Sequence, residues 1–189
     1  MAEGIRTGDQ AADEQATALS RGGITKQLRV DADVHQGVDP SFWERLPQPW
    51  RSMRPSSPVR WPASALGHTG YRSDVHTEDG HHHDRRAHDV VERLVEPYEV
   101  DFAILTGNAG LLGTVAHPNP RFGVEYAQAY NDWLIEEWLS FDPRLKGSIV
   151  VSQRDMGAAV AEVERVGGHP DVVQVILPSN SDRFYGDPF

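Results

Sequence analysis

Asp33 and His35 are separated by one residue at the end of a segment in which polar and apolar residues alternate. In a β-strand this spacing places both side chains on one face, with Asp31 beside them. A carboxylate and an imidazole in that position can bind Zn²⁺ or another divalent ion and leave positions for water and substrate. The spacing is short and common, however, and the alternative is a pair of polar residues that hydrogen-bond a turn.

A second group of possible ligands is the histidine run His81–His83, with His76 and His88 nearby. Histidines at this density can bind Zn²⁺ or Ni²⁺ adventitiously. The interpretation we prefer is a solvent-exposed turn that leads into the next helix.

Predicted strands and helices alternate along the chain, and they must position these residues. Apolar runs predict strands at residues 27–35, 100–106, 145–151 and 172–177, and helical periodicity predicts helices at 84–96, 119–142 and 155–167. Asn119 and Asp155 are suited to cap the last two helices, and Asp132 is interpreted as a tether from a helix to a loop.

Two segments have no regular pattern. Residues 1–27 are polar and are expected to form a disordered tail, with residues 28–189 as the folded domain. Residues 37–80 contain six prolines and predict a long irregular loop, with one short turn of helix near Pro40–Arg45.

Single helices between apolar strands indicate an α/β fold with a parallel sheet covered on both faces. An open doubly wound sheet and a (β/α) barrel of the TIM type both fit this order. A dinucleotide-binding open sheet needs a glycine-rich turn after its first strand. The segment after Val34 is instead a cluster of metal-type ligands, which is typical of a barrel mouth.

The composition excludes some functions. A formal net charge of −10 argues against nucleic acid or an anionic membrane as a partner. The sequence has no cysteine, which excludes disulfides and thiolate metal sites and fits a cytoplasmic protein. No apolar run has the length of roughly 20 residues that a membrane span needs.

Several segments resemble, in the same order, the amidohydrolase-related superfamily that includes aminocarboxymuconate semialdehyde decarboxylase. The first is Val30–His35, which is similar to the opening strand of that superfamily. The others are Tyr98–Thr106, Tyr130–Leu134, Asp142–Gly147, Val172–Leu177 and Arg183–Pro188. The resemblance covers residues 28–189 and implies the first four or so β/α units of a TIM-type barrel.

The resemblance also implies a divalent metal ion, zinc or else manganese, with Asp33 and His35 as two of its ligands. It implies a metal-dependent hydrolase or non-oxidative decarboxylase that acts on a small carboxylated or aromatic substrate. The superfamily has a further histidine and a further aspartate on later strands, and this sequence has no counterpart to them. A truncated fragment is therefore expected.

A second hypothesis is a catalytically inactive half-barrel that binds a partner or associates with itself. Four strands would leave two unpaired sheet edges and one uncovered face, so a homo-oligomer is expected.

Overall fold

The computed structural model describes residues 27–53, 78, 82–107 and 119–177. In these ranges four strands form one parallel sheet in the order β1-β2-β3-β4. The strands are β1 (Val30–Val34), β2 (Phe102–Leu105), β3 (Leu145–Val150) and β4 (Val172–Ile176). The predicted parallel α/β sheet is confirmed. Its consecutive strand order is that of a barrel segment, whereas a doubly wound sheet reverses its strand order near its first strand.

Helices occupy the connections between these strands. They are α1 (Pro40–Arg45), α2 (Trp50–Met53), α3 (Ala87–Val90), α4 (Pro120–Trp133) and α5 (Met156–Val166). Helices α3 and α4 continue without a break as the π-helical segments Val91–Val95 and Leu134–Leu139. None of the helices in the described ranges is both long enough and apolar enough to span a membrane.

The two predicted helix caps are present. The Asn119 side chain accepts hydrogen bonds from the backbone N–H groups of Arg121 and Phe122, at 3.1 and 3.4 Å. The Asp155 carboxylate accepts from the N–H of Ala158 at 2.9 Å. Both side chains pair N–H groups that have no partner within the helix, and so fix where α4 and α5 begin.

The predicted helix over residues 84–96 is correct only from Ala87 onward. His83–Arg85 form a separate 3-10 turn, and Arg86 is extended. The extended backbone of Arg86 interrupts the helix at this point. Just before it, the Asp84 carbonyl accepts from the N–H of Gly37 at 2.7 Å, which connects this turn to the segment after β1.

Part of the irregular loop predicted at residues 37–80 is also helical. The short helix expected near Pro40–Arg45 is α1, but α2 (Trp50–Met53) was not expected. It begins directly after Pro49, and Arg51 donates its N–H to the Pro47 carbonyl at 3.1 Å. Residues 1–26, most of the 54–81 part of that loop, and the Arg183–Pro188 segment lie outside the described residues.

An aromatic cluster between α1 and α4 forms the centre of the core. Phe42 of α1 is fully buried and contacts Tyr126, Tyr130 and Trp133 of α4, with ring centroids 4.9 to 6.3 Å apart. Trp133 also contacts Trp138 edge-on at 5.7 Å. Tyr126, Tyr130 and Trp133 follow one another at spacings of four and three residues, so they lie on one face of α4.

Buried polar groups connect α4 to β3 and α5. The Asn131 amide donates to the Val150 carbonyl and accepts from the Val150 N–H, both at 2.9 Å. The same amide donates to Glu162 of α5 at 2.7 Å. Asp132 pairs with Arg165 at 2.7 Å, so it tethers helix to helix and not, as predicted, helix to loop.

Apolar side chains of β1, β2 and β4 are exposed within the described residues. Val30 of β1 and its partner Phe102 of β2 are 48% and 37% exposed, and Val173 and Val175 of β4 are exposed too. By the strand register, Val30 and Phe102 lie on one face and Val175 on the other, while β3 is buried on both. The predicted cover of the two faces is therefore incomplete within the described ranges.

Candidate metal centre

The structure brings Asp33 and His35 together at the carboxyl end of β1. The His35 Nε2 atom lies 3.1 Å from the Asp33 Oδ1 atom, and the side chains are 58% and 73% exposed. Asp31 has a local role, because its carboxylate accepts from the N–H of Asp33 at 3.1 Å. The pair is thus accessible from solvent at the edge of the sheet where a barrel carries its active site.

Thr106 is the third member of this arrangement, and it comes from the end of β2. Its hydroxyl donates to Asp33 Oδ1 at 2.8 Å, and its backbone N–H donates to the Val34 carbonyl at 2.9 Å. The Thr106 hydrogen bond and then the charge of His35 hold the pKa of Asp33 below its ordinary value. Asp33 is therefore favoured as a carboxylate, the form that binds a cation.

Gln36 fixes the backbone next to this pair. Its side chain is buried, donates to the Tyr130 hydroxyl at 2.6 Å, and accepts from the N–H of Gly107 at 2.6 Å. Gly107 has a φ of 73°, which a residue with a side chain rarely adopts. One side chain thus connects the ends of β1 and β2 to the middle of α4.

Tyr130 is suited to a neutral, structural role in this connection. Burial of its hydroxyl raises the pKa of Tyr130 far above the ordinary value for a tyrosine. The hydroxyl therefore stays protonated at all physiological pH values and accepts the hydrogen bond from Gln36 without carrying charge.

The pair fits a divalent ion by its donor chemistry. A nitrogen and an oxygen ligand about 2.0 to 2.2 Å from one tetrahedral Zn²⁺ ion lie about 3.3 Å from each other, close to the 3.1 Å found here. Within the described ranges, no third His, Asp or Glu groups with Asp33 and His35. The described chain therefore supplies two protein ligands, and their role in binding a metal stays a prediction.

The histidine run is only partly described, since His81 lies outside the described residues. Both ring nitrogens of His83 and the Oδ1 atom of Asp84 are shielded from solvent and have no hydrogen-bond partner among the described residues. The Asp84 carboxylate lies against Gly37: a Cβ atom added to Gly37 would be 3.0 Å from the Oδ2 atom of Asp84. The interpretation of this run as a simple exposed turn is therefore wrong for His83 and Asp84.

Thr106 and Gln36 were not found from the sequence. A weak signal was present, because Thr106 directly follows the apolar run of β2, and the carboxyl ends of neighbouring parallel strands lie at one edge. Gln36 gave no signal, since an isolated glutamine after a strand is usually exposed.

Neither a protein-family model nor the sequence of a curated protein matches this chain. Solved structures do match. A 2,6-dihydroxybenzoate decarboxylase from Rhizobium aligns with a TM-score of 0.52 and 20% identity, over 86% of this chain and 42% of its own. The same kind of enzyme in complex with 2,6-dihydroxybenzoate aligns with a TM-score of 0.54 and 18% identity, over the same shares.

This chain has the fold of the N-terminal half of those decarboxylases. The barrel segment expected from the resemblance is thereby confirmed, and the open doubly wound sheet is not the fold. The chain spans less than half the length of the solved structures that it matches. At 18 to 20% identity the likeness concerns the fold, and the activity is a separate question.

Proposed function

We propose that this chain provides Asp33 and His35 as ligands of a divalent metal ion in a non-oxidative decarboxylase, or a related hydrolase, of the amidohydrolase-related superfamily. Zinc is the first candidate for the ion and manganese the second. The substrate class is a small aromatic or otherwise carboxylated compound.

The observation that carries the proposal is the convergence of Asp33, His35 and Thr106 at the carboxyl ends of β1 and β2. Residues from two neighbouring strands meet at the edge where barrel enzymes carry their chemistry. Thr106 keeps the Asp33 carboxylate oriented and ionised, as a metal ligand requires. The fold shared with the decarboxylases favours this use of the edge.

The described residues have three separable roles in such a site. A bound divalent ion would supply Lewis acidity, which orients a substrate carboxylate or lowers the pKa of a bound water to roughly 7. Asp33 and His35 would hold it, and Thr106 would orient Asp33. Gln36 would keep the ends of β1 and β2 at a fixed spacing, since it bonds to both Gly107 and Tyr130.

The substrate class rests on the neighbouring structures. One of them binds 2,6-dihydroxybenzoate, an aromatic acid whose carboxylate has a hydroxyl group on the ring carbon at each side of it. An exposed metal site with open coordination positions suits such a chelating group. The same site would also suit hydrolysis of a small amide or ester, and we place decarboxylation first because of these neighbours.

A metal titration and a turnover assay test the proposal. We expect the purified protein to bind Zn²⁺ at the Asp33–His35 pair, and Asp33→Asn and His35→Ala each to weaken that binding at least tenfold. We expect release of carbon dioxide from 2,6-dihydroxybenzoate by the metal-loaded protein and a loss of release in both variants. Asp31→Asn is the matched control, because within the described residues the Asp31 carboxylate accepts its hydrogen bond from the neighbouring backbone N–H of Asp33. Unchanged Zn²⁺ binding in the two ligand variants would refute the site.

The second candidate function is an inactive half-barrel that binds a partner or another copy of itself. The exposed apolar side chains of β1, β2 and β4 favour it, because exposed apolar surface promotes association. Zn²⁺ binding without turnover, together with a dimer in sedimentation analysis, would favour this candidate over the enzyme. A homo-oligomeric state and a cytoplasmic location stay predictions.

A further inference from the structure

The sheet has two outer strands, β1 and β4, and each pairs along one edge only. The strand order β1-β2-β3-β4 leaves the other edge of both without a partner strand among the described residues. Both outer strands also carry exposed apolar side chains, which are Val30 on β1 and Val173 and Val175 on β4. Open strand edges of this kind favour pairing with another chain.

Asp33 and His35 point to the face of β1 that lies away from the helices. Val34 and Gln36, which alternate with them, are buried toward the opposite face, where Gln36 bonds to Tyr130 of α4. Asp33 and His35 are instead exposed. The helices surround a closed barrel on the outside, so the face away from them is its interior. In a closed barrel the pair would therefore lie inside the mouth.

We propose that two copies of this chain pair edge to edge, β4 of one with β1 of the other, and bind one Zn²⁺ ion between them. The ligands are those of the proposed function, on which this inference rests: Asp33 and His35 of both copies. Four strands from each copy give the eight that close a TIM-type barrel. A two-fold rotation about the barrel axis keeps all eight strands parallel and makes the two β4–β1 contacts identical. Both open edges of both copies are then paired, which one added strand from another protein would not achieve.

The layered interior of an eight-stranded barrel places the two Asp33–His35 pairs opposite each other. Side chains inside such a barrel lie in layers of four, and each layer comes from alternate strands. β1 is the first strand, and β1 of the second copy would be the fifth, so both contribute to the same layers. The interior is only wide enough for side chains to fill it. Side chains from these opposite strands therefore meet there.

The number of ligands also favours a shared ion. Zn²⁺ sites in proteins have three or four protein ligands, and closed sites have four in a tetrahedron. Within the described ranges one chain supplies two, since no third His, Asp or Glu groups with Asp33 and His35. Two copies supply two carboxylates and two imidazoles, which complete a set of four. The ion also offsets the repulsion between the two Asp33 carboxylates, so we expect pairing to depend on it.

The test combines the mass of the full chain, from sedimentation velocity, with its Zn²⁺ stoichiometry, from competition with a chromophoric chelator. We expect a dimer that binds one Zn²⁺ ion per two chains and dissociates when EDTA removes the ion. Asp33→Asn and His35→Ala should each weaken both Zn²⁺ binding and dimer formation at least tenfold.

A variant of the β4 edge tests the contribution of the second copy and leaves the ligands intact. Lysines on an edge strand discourage pairing. Val173→Lys combined with Val175→Lys should therefore weaken dimer formation and, with it, Zn²⁺ binding at least tenfold. The matched control is Val160→Lys combined with Val163→Lys, because these two exposed valines lie on α5 and not on a strand edge. Circular dichroism checks that both double variants are folded.

The outcomes separate the shared site from the proposed function. A monomer that binds one Zn²⁺ ion per chain, and loses it in Asp33→Asn, overturns the shared site and supports the proposed function. A dimer with one ion per chain, or a dimer equally stable in EDTA, overturns the shared site as well. Equal Zn²⁺ binding by the two lysine double variants refutes the contribution of a second copy. If Asp33→Asn and His35→Ala bind Zn²⁺ as the unaltered chain does, both proposals fail.

Discussion

The Thr106 hydroxyl donates a 2.8 Å hydrogen bond to Asp33 Oδ1, and so joins the ends of two strands that are 73 residues apart in sequence. The bond orients the carboxylate that we assign to metal binding. It is also the largest of the effects that lower the pKa of Asp33. The properties of the site therefore depend on a residue that has no metal-binding group of its own.

The first prediction is that Thr106→Val raises the pKa of Asp33 toward its ordinary value of 3.8. The hydrogen bond favours the ionised form, so its loss favours the protonated form. The ionised Asp33 carboxylate stabilises the folded state at neutral pH, and this contribution is lost as the pH falls through the lowered pKa. The unaltered protein and Thr106→Val should therefore differ least in stability in strong acid. An NMR titration of the Asp33 carboxyl carbon measures the shift. Thr106→Ser keeps the hydroxyl and should titrate like the unaltered protein; equal titration of all three would contradict the assignment.

Gln36→Leu should lower the free energy of unfolding by about 2 to 4 kcal/mol. The substitution leaves the Gly107 N–H and the Tyr130 hydroxyl buried without this partner, and each such group costs about 1 to 3 kcal/mol. Urea unfolding measures the change. Gln128→Leu on α4, where the side chain is only partly buried, serves as the control and should stay within about 0.5 kcal/mol. A similar small effect of Gln36→Leu would show that Gln36 does not hold the strand ends.

Asn131→Leu should lower the free energy of unfolding further, by about 3 to 5 kcal/mol. The substitution removes the hydrogen-bond partner of the Val150 N–H, of the Val150 carbonyl and of the Glu162 carboxylate. The comparison is Asp132→Asn, the adjacent residue, whose half-exposed ion pair with Arg165 contributes about 1 kcal/mol at most. Thermal unfolding of both variants gives the ranking. Equal midpoints would mean that the buried amide is not the contact that secures α4 to β3.

Gly147→Ala tests the close contact between β3 and the π-helical segment Leu134–Leu139. An added Cβ would lie 2.9 Å from Leu139 Cδ1 and 3.0 Å from Leu134 Cδ2, and such overpacking costs about 1 to 3 kcal/mol. Gly168→Ala, where no atom lies within 4 Å of the added carbon, should leave stability unchanged or slightly raised. Chemical denaturation measures the free energy of unfolding of the two variants. Equal values would argue against tight packing at Gly147.

The sequence alone determined the elements and the first half of the candidate site. Apolar runs and helical periodicity predicted all four strands and the helices α4 and α5, because these patterns reflect burial on one face of a local element. Asn119 and Asp155 were identified as caps, since capping involves only a few neighbouring residues. The alternation in β1 was sufficient to place Asp33 and His35 side by side.

Only the tertiary structure decided what surrounds that pair. Thr106 reaches Asp33, and Gln36 becomes buried, because parallel pairing brings the ends of β1 and β2 together and α4 packs beside them. The hydrogen bond from the Gly37 N–H to the Asp84 carbonyl, just before α3, is of the same kind. These relationships join residues far apart in sequence, and local periodicity contains no information about such contacts.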